Sequence, residues 1–243
     1  MNVKAGPTNS SLKTVAIIPA AGSGVRMENE RPKQFLDVDG RPLLAVTLEK
    51  FQVCPVIHTV ILVVPEKDVA YCQSEIVERH RLTKVKKVVV GGERRQDSVR
   101  LGIEASGGEC ELVLIHDGVR PLVAPDLIVR IVEAAQENRA VITGLAAKET
   151  VKEIDQDALV VRTYDRQRFW LVQTPQLFRY EDILMAHRRA VEEGWEEVTD
   201  DALLVERAGI PVKLVEGSED NIKVTTPQDL ELVQFLLGRE DRK

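Results

Sequence analysis

Thr14-Val15-Ala16-Ile17-Ile18, followed at once by Pro19-Ala20-Ala21-Gly22-Ser23-Gly24-Val25-Arg26-Met27, decides how the rest of this chain is read. The first five residues are β-branched or apolar throughout, with no polar alternation. That predicts a strand covered on both faces, as in a parallel sheet. The residues after it are small. Small residues let the backbone approach a ligand, and consecutive N–H groups form an anion nest. Arg26 puts a permanent charge in this loop, and Lys33 follows in Arg31-Pro32-Lys33-Gln34. Together they suit a triphosphate. The loop lacks the Gly-Lys-Ser/Thr ending of a P-loop, and Met27 stands where a dinucleotide fingerprint has its third glycine. A glycine turn with surface cations is the plain alternative.

The same rhythm continues outward. Strands are predicted at 59–64, 85–90, 111–116 and 140–143, with helices at 43–51, 66–80, 97–105 and 125–137. Pro42 sits at the first turn of its helix, and Asp97 is a candidate N-cap. Strands alternating with helices predict right-handed crossovers and an open α/β sheet. From Gly144 to about Trp170 the rhythm breaks. Residues 150–154 and 158–163 flank Asp155-Gln156-Asp157, which predicts a β-hairpin. A two-stranded arm is not stable alone, and a second copy of the chain is one natural support. The pattern then resumes, with helices at 180–193, 200–208 and 227–237 and a strand at 212–215. The expectation is a Rossmann-like, three-layer, mostly parallel sheet. It forms one domain over 14–243, with an arm inserted at about 144–170 and a frayed tail at 1–13.

Composition narrows the function. The 243 residues carry Lys+Arg 33 against Asp+Glu 39, a net charge of −6, and aromatics make up 4%. A nucleic-acid binder wants a basic face and stacking rings, so that class is excluded. No apolar run approaches the roughly 20 residues of a membrane span, and residues 1–13 lack the apolar core of a secretory signal. Cys54, Cys72 and Cys110 fit no zinc or redox spacing. Buried thiols in a reducing cytosol are expected, so the chain is placed in the cytoplasm.

In open α/β sheets, ligands bind beyond the carboxyl ends of the strands. After the third strand comes Gly91-Gly92-Glu93-Arg94-Arg95-Gln96-Asp97-Ser98. Its glycines permit close approach to a flat base and Ser98 can hydrogen-bond a heterocycle, or the segment is only a helix cap. After the fourth comes His116-Asp117-Gly118-Val119-Arg120-Pro121. Asp117 is placed to hold Mg²⁺ on phosphates, or to cap a helix. Arg120 can grip a phosphate bidentately. His116 reads as a structural imidazole, and His58, His80 and His187 as surface or helix residues. Four later segments offer hydroxyls or cations: Arg162 to Arg166, Gln173-Thr174-Pro175-Gln176, Val198-Thr199-Asp200-Asp201 and Asn221-Ile222-Lys223-Val224-Thr225. Thr199 is also a good N-cap, and Lys223 alone could be a solvated strand residue. As a set they point to a second polyanionic ligand.

Read together, these motifs resemble a known family. Pro19 to Met27 with Pro32-Lys33-Gln34 is similar to the signature of sugar-phosphate nucleotidyltransferases. With the later segments, from about Val15 to Leu237, the chain resembles the 2-C-methyl-D-erythritol 4-phosphate cytidylyltransferases of the non-mevalonate isoprenoid pathway. The resemblance implies transfer of a cytidylyl group from CTP to a polyol phosphate. It implies that Pro19, Ala20, Ala21, Gly22 and Gly24 line the CTP site, and that Arg26 and Lys33 hold the triphosphate and its transition state. Gly92, Glu93 and Ser98 would read cytosine; the family often has Asp where Glu93 stands. Asp117 would hold Mg²⁺ and Gly118, often Ala in the family, would sit by the ribose. Arg120, Thr150, Arg166, Thr174, Thr199 and Lys223 would bind the polyol phosphate, with Lys223 also catalytic. Thr150 and Arg166 would reach from the arm into a neighbour's site, which implies a homodimer. A ribitol-5-phosphate cytidylyltransferase and a non-catalytic nucleotide sensor share these loops and remain alternatives.

Overall fold

Strand β1 (Thr14–Pro19) pairs in parallel with β4 (Thr59–Val64) on one side and with β6 (Leu112–Ile115) on the other. It is the buried centre that its composition predicted. This computed structural model describes residues 12–22, 32–196 and 198–240. The tail before residue 12, and Gly24 and Arg26, lie outside them. Two short strands, β2 (Asp37–Val38) and β3 (Arg41–Pro42), form a turn that leads into helix α1 (Leu43–Val53). The sheet is completed by β5 (Val85–Val90), β7 (Ala140–Ala146), β10 (Trp170–Arg179) and β11 (Val212–Glu216), in the order β11-β7-β10-β6-β1-β4-β5. Within this seven-stranded sheet every pairing is parallel except those of β10, which runs antiparallel to both β6 and β7.

Alternate residues of the strands feed two cores. Val15 and Ile17 face helices α3 (Arg95–Ala105), α5 (Tyr180–Glu192) and α6 (Asp201–Arg207), with Val99, Ile103, Ile183 and Leu204 against them. Ala16 and Ile18 face the other side, where Leu44 and Leu48 of α1 and Ile128 and Ile131 of α4 (Pro125–Ala134) close the layer. Helix α7 (Pro227–Glu240) packs Val233 and Leu237 on Leu43, Val46 and Val119 in a third cluster. The fold is the expected open α/β sheet with helices on both faces.

Helix α3 lies close on the sheet because Gly102 has no side chain. A Cβ there would stand 2.5 Å from Ile17 Cγ2 and 2.9 Å from Val63 Cγ2. Gly102→Ala is therefore expected to cost about 1–3 kcal/mol by overpacking, although alanine is intrinsically the better helix former by about 1 kcal/mol. Urea unfolding midpoints measure this, and an unchanged or raised midpoint contradicts it.

The structure corrects several local expectations. Asp97 is not the N-cap of α3. Arg94 is, and Asp97 at the third helical position returns a hydrogen bond to the Arg94 N–H, so the helix begins two residues early. Asp200, not Thr199, caps α6, accepting from Leu203 N at 3.1 Å. The helix expected at 66–80 is a composite: a 3-10 turn Glu66–Asp68, a short α2 (Val69–Tyr71) and a π-helical stretch Cys72–Glu78. Strand β10 had no counterpart in the sequence reading. His187, expected as a surface or helix residue, lies on α5 but is 2% exposed. The hairpin is present as β8 (Lys152–Ile154) and β9 (Val160–Thr163), paired only with each other. Its Leu159, Val160 and Val161 are about 60% exposed or more.

Candidate active site

Strands β6 and β1 lie side by side, β5 lies one strand further on across β4, and the loops that leave these three parallel strands converge. Among the described residues they build a cleft of about 150 Å³, lined by Pro19, Ala20, Ala21, Gly22, Lys33, Gly92, Glu93, Ser98, Asp117 and Lys223 with Arg94 and Arg95. A second depression of about 410 Å³ is lined by Arg120, Gln173, Thr174, Thr199 and Asp200, again with Asp117, Lys223 and Arg95. The two therefore share a wall made of Arg95, Asp117 and Lys223.

The glycine loop is built against helix α3. A Cβ on Gly92 would meet Asp97 Cβ at 2.5 Å, and one on Gly91 would meet Ala21 Cβ at 2.7 Å. Ser98 Oγ accepts from Gly92 N at 3.1 Å and lies 3.3 Å from Gly92 O. Its first task is thus to hold the loop that it was expected to help read a base. Gly118 is not on either pocket wall. Its N–H donates to Pro19 O at 3.2 Å, and a Cβ there would sit 3.1 Å from Ala20 Cβ and from Leu44 Cδ1.

Asp117 is the electrostatic centre. Its Oδ1 accepts from Arg95 Nε at 3.1 Å, and its Oδ2 lies 2.9 Å from Lys223 Nζ and 3.6 Å from Arg120 Nε. Burial alone would raise its pKa, but Arg95, Lys223 and Arg120 overcome that and hold the carboxyl well below the usual range. Arg120 shows the opposite balance: burial lowers its pKa more than Asp117 raises it. Its Nη1 donates to Asn221 O at 2.7 Å, so this guanidinium is already anchored to the segment that carries Lys223.

His116 is fully buried, which pushes its pKa down to about 4 and leaves it neutral. Its Nε2 is 3.1 Å from Arg120 O, and its Nδ1 is 3.1 Å from Thr174 Oγ1. A carbonyl only accepts, so Nε2 carries the proton and Nδ1 accepts from the Thr174 hydroxyl. That hydroxyl in turn accepts from Asp117 N at 3.1 Å. Both ring nitrogens are committed to shaping the loop 116–120, as the structural reading of His116 expected.

Thr150 and Arg166 are not brought to these pockets. Thr150 is exposed, and Arg166 donates to Lys148 O at 2.6 Å beside Glu219 in a separate depression at the root of the arm. Two functional side chains escaped the sequence reading. Arg95 sits inside a quoted motif but was given no role there, and Asn221 donates from Nδ2 to Thr174 O at 2.7 Å. Nothing in the sequence separates Arg95 from the neighbouring surface cation Arg94.

No group of three His, Cys, Asp or Glu able to cage a metal occurs among the described residues. A divalent ion does not require one here. Mg²⁺ beside nucleotides is commonly held by one or two carboxylates plus the phosphates themselves. One ionised carboxylate facing a phosphate-sized cleft fits that mode.

Comparison with known proteins agrees with this geometry. The family described as 2-C-methyl-D-erythritol 4-phosphate cytidylyltransferase matches residues 14–239. A relative of that name from Syntrophus aciditrophicus is 45% identical over 229 residues, 94% of this chain and 97% of its own. One from Caldanaerobacter subterraneus is 42% identical over 92% of this chain and 98% of its own. A solved 4-diphosphocytidyl-2C-methyl-D-erythritol synthase from Anaerococcus prevotii superimposes with a TM-score of 0.82 at 34% identity, covering 94% of this chain and 100% of that one. The Thermus thermophilus cytidylyltransferase gives 0.74 at 36% identity, covering 93% and 98%. With its two pockets meeting at a carboxylate ringed by cations, the chain belongs to the 2-C-methyl-D-erythritol 4-phosphate cytidylyltransferase family.

Proposed function

We propose that the protein transfers the cytidylyl group of CTP to 2-C-methyl-D-erythritol 4-phosphate, giving 4-diphosphocytidyl-2-C-methyl-D-erythritol and pyrophosphate. The observation that carries this reading is the wall of Arg95, Asp117 and Lys223 common to both pockets. A nucleotide in the first and a polyol phosphate in the second would meet there.

A phosphate oxygen of the polyol attacks the α-phosphorus of CTP, the bond to the β-phosphate breaks, and pyrophosphate leaves. The attacking phosphomonoester has a second pKa of about 6, so it is largely dianionic at neutral pH and needs no general base. This fits the buried histidine next to Asp117, His116, whose two ring nitrogens are both engaged. The difficulty is bringing one polyanion to another. Lys33 faces the first pocket and Lys223 faces both, so their charges offset that repulsion and stabilise the charge that builds up in line. Arg26, whose position lies outside the described residues, is assigned the same task. Mg²⁺, held by Asp117 and the phosphates, would supply further charge neutralisation at the triphosphate. Thr174, Thr199 and Arg120 line the polyol side.

The arm completes the site from a second copy. Ile154, Leu159, Val160, Val161 and Leu171 are each more than half exposed, an apolar surface that an isolated monomer rarely keeps. A homodimer through the 144–170 arm covers it and carries Thr150 and Arg166 toward the partner's polyol pocket. Arg166→Ala is then expected to raise KM for the polyol phosphate about tenfold with kcat little changed, because a charged hydrogen bond to bound substrate is lost in ground and transition states alike. Steady-state kinetics checks this, and a pure kcat effect contradicts it.

No described helix is long and apolar enough to cross a membrane. The three cysteines are buried and free, which suits a reducing cytoplasm, where the reaction is placed. The test of function is pyrophosphate release from CTP with each polyol phosphate. Turnover with methylerythritol phosphate is expected. Turnover with ribitol 5-phosphate alone, or CTP binding without turnover, overturns the assignment.

A further inference from the structure

Four ionisable side chains run in a line from the shared wall into the interior, and the reaction described above uses only the first. Asp117 Oδ1 accepts from Arg95 Nε at 3.1 Å, Arg95 Nη1 donates to Asp201 Oδ2 at 2.7 Å, and Asp201 Oδ1 lies 3.4 Å from His187 Nε2. The Asp201 and His187 side chains are 1% and 2% exposed, and neither lines either of the two pockets described above. They come from three helices: Arg95 from the first turn of α3, Asp201 from the start of α6 and His187 from α5.

This arrangement is costly as mere architecture. A buried carboxylate must recover a large desolvation penalty, and a buried ion pair is seldom more stable than packed apolar residues. Asp201 Oδ1 and His187 Nε2 also make no hydrogen bond that meets normal geometry. What the line does achieve is geometric. The guanidinium is a rigid planar fork. Fixing Nη1 on a buried carboxylate fixes where Nε points, and so which oxygen of Asp117 is taken. Oδ1 is consumed, and Oδ2 is left to Lys223 at 2.9 Å and Arg120 at 3.6 Å, on the wall that both pockets share.

We infer that Arg95 is a positioning residue: anchored by Asp201, it aims Asp117 Oδ2 at the wall between the pockets and sets how much negative charge that oxygen keeps for a divalent cation. The inference rests on the reading that Asp117 holds the cation. Its physical content is that Arg95 divides one positive charge between two carboxylates. Neutralising Asp201 leaves Arg95 wholly to Asp117, where it competes with the cation. Removing Arg95 abolishes the competition but frees the carboxylate to turn.

The two changes therefore push cation affinity in opposite directions while both slow the reaction. The measurement is Mn²⁺ binding by electron paramagnetic resonance in the presence of CTP, with no polyol phosphate, so no turnover occurs. Asp201→Asn, which preserves shape and touches neither pocket, is expected to weaken Mn²⁺ about tenfold. Arg95→Gln is expected to tighten it about threefold or more, since a unit charge a few ångströms away is removed. Both are expected to lower kcat about 10–100-fold. Arg95→Lys restores the charge but not the fork, so Mn²⁺ affinity returns toward the parent value while kcat stays low. Shifts in the same direction for Asp201→Asn and Arg95→Gln, or full recovery of kcat by lysine, overturn the inference. If Asp201→Asn fails to fold, the contrast between Arg95→Gln and Arg95→Lys decides. Asp117→Asn separates the two levels. If it leaves Mn²⁺ binding intact, the cation assignment fails and the inference with it; if it abolishes binding while the other variants shift together, the inference alone fails.

Discussion

Lys223→Ala is expected to lower kcat for pyrophosphate release by about 10²–10³, the usual cost of losing one preorganised charge at a reacting phosphate. The residue earns this expectation by position. It is the lysine among the described residues that lines both pockets, and its ammonium stands 2.9 Å from Asp117. A charge on the dividing wall interacts most strongly when attacking and leaving oxygens are both partly bonded, so kcat should fall more than KM rises. Lys33→Ala should show a related but different signature, with a similar loss in kcat and no effect on the polyol phosphate KM, because Lys33 lines the first pocket, the proposed nucleotide side, and not the second. Substrate titrations of both variants check this. Equal loss of kcat and both KM terms in each variant contradicts the division of labour.

The second large effect is expected at the arm. Replacing Leu159 and Val161 with Asp removes two of its exposed apolar side chains, at 65% and 61% exposure, without disturbing any core residue. Each lost burial costs about 1.5–3 kcal/mol in an interface, and two-fold symmetry applies every change twice. The dimer dissociation constant should rise at least about 100-fold for even one such residue. Sedimentation should then show monomer at micromolar concentration, and activity should fall with it, since in the proposed assembly Thr150 and Arg166 no longer reach a partner. A folded variant that stays dimeric, or a fully active monomer, overturns the arm's assignment.

How much of this could be read from sequence follows from physical cause. Strands β1 and β4 were legible because buried parallel strands are written in unbroken apolar runs rich in β-branched residues, and β5, an edge strand carrying Lys86 and Lys87, because its valines are bounded by the Gly91-Gly92 turn. Strand β10 was not, because its middle reads Gln173-Thr174-Pro175-Gln176, polar and broken by proline. Those residues are polar because they serve the pocket, so the feature that hid the strand is the feature that makes it useful. The start of α3 was misplaced because Asp97 looks like a cap, whereas Arg94 and Asp97 together close the first turn. Asp117 was legible from its place at a strand end. Arg95 was not, since its meaning depends on Asp201, over a hundred positions away in the chain. Thr150 and Arg166 were singled out only by resemblance, since Thr150 is exposed and Arg166 lies in a separate depression away from both pockets.

The hydroxyl of Thr174 has a consequence for inhibitor design. Its single proton is spent on His116, and one lone pair is taken by the Asp117 N–H. One lone pair remains, on a residue that lines the second pocket, the proposed polyol side. A compound that places a phosphonate or carboxylate oxygen there meets repulsion, whereas one that places a hydroxyl or an amine finds an acceptor already oriented. Chemists screening against this enzyme should reserve that corner for a donor and carry the negative charge of their compounds elsewhere.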